Sequence, residues 1–142
     1  MKFIRSVAAV VAGFIVAVIF NIAIQSLNRV LYPDDVVTDP ALIKERLPTM
    51  PVGPLVVVVI AWETGAFVGG LVAALVAGWA PSVHAGMIGA AMLAATITNF
   101  LMLPGHPNWM VIAGLLLPLP VSILAGNLVS PRTPPSAPVS NP

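Results

Sequence analysis

One carboxyl group in this sequence lies where water is not expected to reach. Glu63 is the only ionisable residue deep inside a long apolar stretch, the run from Val52 to Gly78. Moving a carboxyl group out of water is costly, so its side chain is expected to face protein and to have a hydrogen-bond partner or a function. Proton or cation binding is the chemistry open to such a group.

Several uncharged polar residues are expected at a similar depth. Glu63 follows Pro54 by nine residues, about 14 Å along a helix, and Asn21 precedes Val30 by the same number. In two antiparallel helices these positions lie level with each other. The predicted polar cluster inside the membrane consists of Glu63, Asn21, Gln25, Thr96 and Asn99.

This cluster has two interpretations. In the structural one, Asn21, Gln25 and nearby hydroxyl groups satisfy the Glu63 carboxyl and fix the register of the helices. In the functional one, Glu63 is a proton or cation site, because a carboxyl group withdrawn from water can exchange protons at physiological pH.

Other chemistry has little support in the sequence. His84 and His106 are expected at opposite membrane faces, where they cannot share a metal ion. The chain has no cysteine, and a group of aspartates in the long loop (Asp34, Asp35 and Asp39) is typical of a solvated turn. We therefore expect no enzyme activity, no cofactor and no metal site.

The composition requires lipid as a solvent. Hydrophobic residues make up 58% of the 142 residues and charged residues only 8%, with a mean hydropathy of +1.01. A soluble domain carries roughly 25% charged residues. The net charge of +1 leaves no basic surface for nucleic acid. The expected partners are the lipid bilayer and either further copies of the chain or a larger membrane complex.

Four apolar segments reach the length of about 20 residues that a spanning helix needs. They cover about residues 3–27, 54–78, 83–103 and 109–129. Short connections rich in proline and glycine separate the last three segments and force antiparallel neighbours. The predicted fold is all-α, a four-helix transmembrane bundle with up-down-up-down topology. Residues 1–129 form its single domain, and the Pro- and Ser-rich residues 130–142 are expected to be disordered.

The long first loop is predicted to contain a short amphipathic helix. Thr38 or Asp39 is a suitable N-cap, Pro40 suits the first helical position, and Pro48 ends the turn. So short a helix is unstable alone in water, so it should rest on the bundle or on the lipid interface. It either joins two spans as a surface strap or covers a cavity as a lid.

The N-terminal segment is interpreted as a retained helix. Lys2 and Arg5 precede it as in a signal peptide, but the apolar run exceeds 20 residues and no clear cleavage site follows. These two residues also favour cytoplasmic termini, because charges flanking the first helix usually dominate orientation. The number of positively charged residues is the same on both sides of the membrane. Lys2, Arg5 and Arg132 lie on one side, and Arg29, Lys44 and Arg46 lie on the other.

Every span carries small residues at a spacing of four, as close helix contact in lipid requires. The first and second spans have Ala9, Gly13, Ala17, Asn21 and Gln25, and Gly65, Gly69, Ala73 and Ala77 beside Ala66, Gly70, Ala74 and Gly78. The third and fourth have Gly86, Ala90, Ala94 and Thr98, and Gly114, Pro118, Ser122 and Gly126. Because the second span carries small residues on two adjacent ridges, it is predicted to pack against more than one neighbour and to be the central helix.

Three segments resemble a group of small bacterial four-span membrane proteins to which no activity is assigned. They are residues 39–47, residues 65–74, and Met102-Leu-Pro-Gly-His-Pro-Asn-Trp109. The resemblance implies a protein of the bacterial inner membrane. Small multidrug resistance transporters are also similar, being four-span chains with one intramembrane glutamate, but theirs lies in the first helix and their loops are short.

Two functions follow from these observations. The first is an integral inner-membrane protein with a structural or accessory role, as a subunit of a larger assembly. The alternative is a small oligomeric proton-coupled transporter that uses Glu63. A membrane enzyme ranks third, because no second catalytic group accompanies Glu63.

Overall fold

The structure, a computed structural model, describes residues 1–129 and is entirely helical over that range. The predicted disordered tail lies outside the described residues. The helices are α1 (Lys2–Gln25), α2 (Asn28–Leu31), α3 (Pro40–Arg46), α4 (Val52–Ala77), α5 (Pro81–Met102), α6 (Asn108–Leu116) and α7 (Pro118–Asn127). Short 3-10 turns cover Pro33–Asp35 and Leu47–Thr49.

Four of these segments are long and apolar enough to cross a membrane, as the sequence predicts. They are Lys2–Leu31, Val52–Ala77, Pro81–Met102 and Asn108–Asn127. The protein is therefore a multi-pass membrane protein with a four-helix bundle. The second and third spans reverse direction over three residues, beginning with Gly78 at φ 69°, a left-handed conformation that glycine adopts without strain. Pro81 then starts α5.

Helix α4 is the centre of the bundle, as predicted, and contacts all three of the other spans. Its glycines bring it against the backbone of α1. A Cβ atom placed on Gly65 would lie 2.8 Å from the Ala17 carbonyl oxygen, and one on Gly69 would lie 2.6 Å from the Gly13 carbonyl oxygen. The two helices thus touch backbone to backbone, with no room for a larger side chain.

The contact surface of α5 differs from the predicted one. The predicted stripe is wrong, because Ala90, Ala94 and Thr98 are exposed. The buried residues are Pro81, His84, Ala85, Ile88, Gly89, Met92 and Thr96. This helix has small residues on two adjacent ridges. The ridge with Ala85 and Gly89 faces the bundle, together with the larger side chains Ile88 and Met92.

The fourth span is divided at Leu117 into α6 and α7, which agrees with the break expected from its prolines. The small stripe of this span is buried as predicted, with Gly114, Pro118, Ser122 and Gly126 all inside. The Ser122 hydroxyl donates to the Leu119 carbonyl at 3.0 Å.

The long loop folds onto the end of the bundle. Asp39 caps α3 by accepting a hydrogen bond from the Ala41 N–H at 2.9 Å, and Pro40 occupies the first helical position. Leu47, just after α3, is only 4% exposed and packs with Leu55, Trp62 and Met110. The predicted short helix is confirmed, and the turn that follows it anchors the loop to the bundle.

Two glycine substitutions test the contact between α1 and α4. Gly69→Ala should lower the free energy of unfolding by about 1–3 kcal/mol, because its Cβ would lie 2.6 Å from that of Ala17. Gly86→Ala is the matched control, since its Cβ would meet only Ile123, at 3.5 Å, and alanine favours a helix. Thermal unfolding in detergent measures both. Equal stability of the two variants would contradict the backbone contact.

Candidate functional site

Glu63 is half-buried in the bundle, and its carboxyl group has no hydrogen-bond partner among the described residues. Both of its carboxyl oxygens are buried, and neither is hydrogen-bonded to any residue in the described part of the chain. Helical periodicity places it on the same face of α4 as Gly70, seven residues later, and Gly70 packs against Ser122 of α7. Glu63 is thus on the side of α4 that meets the fourth span.

Asn21 and Gln25 are not the partners of Glu63. The side-chain amide of Gln25 donates to the side-chain oxygen of Asn21, so these two residues satisfy each other along α1. Asn21 lies one helical turn after Ala17 on the same face of α1, and Ala17 packs on Gly65 of α4. Glu63 is two residues from Gly65, about 200° around the helix. Asn21 therefore meets a different face of α4 from the one that carries Glu63, and the hydrogen-bonded group in which Asn21 and Gln25 hold Glu63 is not formed.

The two other predicted cluster members are both on α5 but in different surroundings. Thr96 is 3% exposed, and a Cβ atom on Gly114 would lie 2.9 Å from its methyl group. Asn99, one turn nearer the loop, lines an open cavity together with Gln25. The predicted cluster is therefore divided. The Glu63 carboxyl is buried, Thr96 lies in a helix contact, and Gln25 and Asn99 line the cavity.

This cavity, of about 480 Å³, lies between the long loop and the ends of the spans. We call it the loop-side cavity. Its floor contains the apolar residues Leu55, Val58 and Trp62. Its polar and charged lining residues are Gln25, Ser26, Asn28, Arg29, Tyr32, Asp35, Thr38, Asn99 and His106. The volume is within the range of sites for small molecules.

The first part of the loop is held against the start of α4 by two residues. The Asn28 side-chain amide donates to the Pro54 carbonyl at 3.1 Å. The ring of Tyr32 lies directly on Gly53, where a Cβ atom would be 2.7 Å from the ring carbon Cζ. The remaining side-chain atom of Asn28, its Oδ1, is buried without a hydrogen-bond partner.

A row of aromatic rings leads from the cavity floor to its rim. Trp62 meets Phe100 edge to face with ring centroids 5.7 Å apart, and Phe100 meets His106 in the same way at 4.8 Å. Such edge-to-face pairs are favourable beyond the area that they bury. They position His106, which follows α5, against the bundle.

His106 is held mainly in its neutral form. Burial lowers the pKa of its imidazole below the usual 6.5, while the backbone carbonyl of Leu103 acts in the opposite direction. Its Nδ1 atom is buried without a hydrogen-bond partner. The unpartnered nitrogen of a neutral imidazole donates or accepts a hydrogen bond according to the tautomer.

A second polar group, at the opposite end of the bundle, was not predicted as a unit. The Arg5 Nε–H donates to the Val76 carbonyl at 2.8 Å at the end of α4, a favourable position for a cation. His84 is 3% exposed, with Nδ1 3.0 Å from the Ala80 carbonyl and Nε2 3.0 Å from Ser6 Oγ. In the sequence, only the position of Arg5 and Ser6 before the apolar run indicates polar contacts at this end. These contacts join α1, α4 and α5 at this end of the bundle, and both ring nitrogens of His84 have a partner.

The two histidines lie at opposite ends of the bundle, as expected. No group of three His, Cys, Asp or Glu side chains comes together as a metal-ligand set within residues 1–129. Comparison of the chain with protein-family models, with curated proteins and with solved structures finds no match in any of the three. The resemblance seen in the sequence stays a prediction.

The lowered pKa of His106 predicts a pH dependence of stability. Because the unfolded chain binds the proton more readily, the contribution of His106 is fully present above about pH 6.5 and is lost as the pH falls below it. His106→Gln should remove this component. Thermal midpoints of both proteins between about pH 5 and 8 measure it, and parallel curves would contradict the assignment.

Proposed function

We propose that the protein is an integral component of the bacterial inner membrane with a structural or accessory role and no catalytic activity of its own. The observation that carries this proposal is the close contact between the spans along the second half of α4, from Gly65 to the turn at Gly78. Gly13 against Gly69 and Ser122 against Gly70 leave no room for a path in that half. The loop-side cavity is lined only by residues of the other half. A bundle closed in this way suits a subunit better than a channel.

The inner-membrane assignment rests on sequence arguments. Lys2 and Arg5 flank the first span, which supports cytoplasmic termini. The resemblance to small bacterial four-span proteins supports the compartment. The long loop with its cavity would then face the periplasm.

A second candidate function is proton-coupled transport through Glu63, in an oligomer. It is favoured by the buried carboxyl group without a hydrogen-bond partner, since an ionisable residue within a span is by default a functional hypothesis. The fourth span adds polar atoms on the same side of α4. Pro118 and Pro120 have no N–H, so the carbonyls of Gly114 and Leu116 lack their helical donors.

Reporter fusions test the orientation. A reporter that is active only in the periplasm should be active when fused near Pro40 and silent when fused after Pro142. The reverse pattern would place the termini outside the cytoplasm and leave four spans intact. Activity at both positions would require an odd number of spans and would contradict the topology.

Substitution of Glu63 tests whether its carboxyl group has no partner in the folded protein. Glu63→Leu should raise the stability of the solubilised protein by about 1–3 kcal/mol, because it removes a buried polar group that has no partner. Glu63→Gln is the control, since it keeps a polar group there and should change stability little. A loss of stability in Glu63→Leu would reveal a partner that the structure does not contain.

Activity gives the second measurement for the same variants. Proton flux into vesicles that contain the purified protein should be absent if the role is accessory. Flux in the wild type that both Glu63→Leu and Glu63→Gln abolish would establish the transporter instead. Flux that survives in both variants would exclude Glu63 as the site of proton transfer.

A further inference from the structure

The loop-side cavity changes character with depth. The charged lining residues Arg29 and Asp35 belong to the loop side, and the deeper lining includes the apolar α4 side chains Val58 and Trp62. Of these, Trp62 lies ten residues after Val52, the first residue of α4, a distance of about 15 Å along the helix. An occupant that matches both parts must be amphipathic, with its polar end toward the loop and its apolar end in the bundle.

The rim of the cavity offers both signs of charge. Arg29 supplies a guanidinium group, whose fork of N–H donors matches a phosphate. Asp35, six residues later, supplies a carboxylate on the same rim. One cation and one anion in a single small cavity complement a zwitterion better than a simple anion or cation.

Two residues of the cavity wall also carry buried polar atoms that have no hydrogen-bond partner among the described residues. Asn28 Oδ1 and His106 Nδ1 are both buried without a partner, and both residues line the cavity. Unpartnered buried polar atoms are costly, so each calls for a partner. Asn28 Oδ1 is an acceptor, and rotation of its side chain toward the cavity would pair it with an N–H group of an occupant.

We infer that the loop-side cavity binds the head group of a zwitterionic phospholipid that carries a primary ammonium group. Arg29 holds the phosphate, Asp35 the ammonium group, and the acyl chains run toward Trp62. The bilayer is the source of the ligand, because the cavity starts where the spans end, at the level of lipid head groups. This inference rests only on the membrane location and not on the role of Glu63.

Short-chain lipids test the inference on the full, detergent-solubilised protein. Dihexanoyl phosphatidylethanolamine should raise the thermal midpoint in a saturable manner. Dihexanoyl phosphatidylglycerol has the same chains and phosphate without the ammonium group and should bind about tenfold more weakly. Free phosphoethanolamine has the head group without chains and should give no saturable shift. Saturation by free phosphoethanolamine at equal affinity would overturn the lipid as ligand.

Matched variants locate the site. Arg29→Gln and Asp35→Asn should each weaken binding of the phosphatidylethanolamine about tenfold. Lys44→Gln and Asp34→Asn are the controls, because both residues are exposed and neither lines the cavity. Asp35→Asn should not weaken binding of the phosphatidylglycerol, which has no ammonium group for the carboxylate to hold. Equal affinity of Arg29→Gln and the wild type, or a preference for the phosphatidylglycerol, would overturn the inference.

A cavity-filling variant provides a test that does not depend on charge. Val58→Trp adds volume to the cavity floor, where Val58 is half-buried. It should abolish the lipid-dependent shift while the thermal midpoint without lipid stays within a few degrees of the wild type. Unchanged lipid binding in a folded Val58→Trp protein would place the lipid elsewhere.

Discussion

The backbone contact of α1 with α4 is the constraint on which the rest of the structure depends. Helices in lipid gain nothing by hiding apolar side chains from one another, so they associate through close approach and dispersion. Gly13 and Ala17 on α1 meet Gly69 and Gly65 on α4 at distances that exclude any added side chain. This contact fixes the rotation of α4 about its axis, which in turn decides where Trp62 and Glu63 point.

The position of the cavity follows from a change of residue size along α4. From Gly65 to Ala77 the buried residues are glycine and alanine, and the neighbouring spans come close. Nearer the loop the buried residues of α4 include Leu55 and Trp62. Larger side chains hold the helix axes farther apart, so the bundle opens at that end and the loop covers the opening. The lid interpretation of the long loop therefore has a structural basis in Leu47, which is anchored beside the cavity.

The sequence predicts those features that depend on one segment at a time. Span lengths and the Asp39 cap follow from local chemistry and are confirmed. Features that depend on helix rotation are less accessible. On α5 two small ridges compete, and the inward one could not be chosen without knowing its neighbours. For Glu63, depth alone indicates Asn21 as a partner. The rotation of 100° per residue places Glu63 about 200° around α4 from Gly65, on a different face from the one that meets α1.

The rotation of α4 also separates the carboxyl group from the cavity. Trp62 lines the cavity floor and Glu63 is the next residue, about 100° farther around the helix. Trp62 is packed against Phe100 and is 6% exposed, so it closes the floor on that side. A molecule in the cavity reaches Trp62 without reaching the carboxyl oxygens, which are buried. Coupling between a bound lipid and the protonation of Glu63 would therefore require α4 to rotate, and the glycine contacts with α1 oppose that rotation.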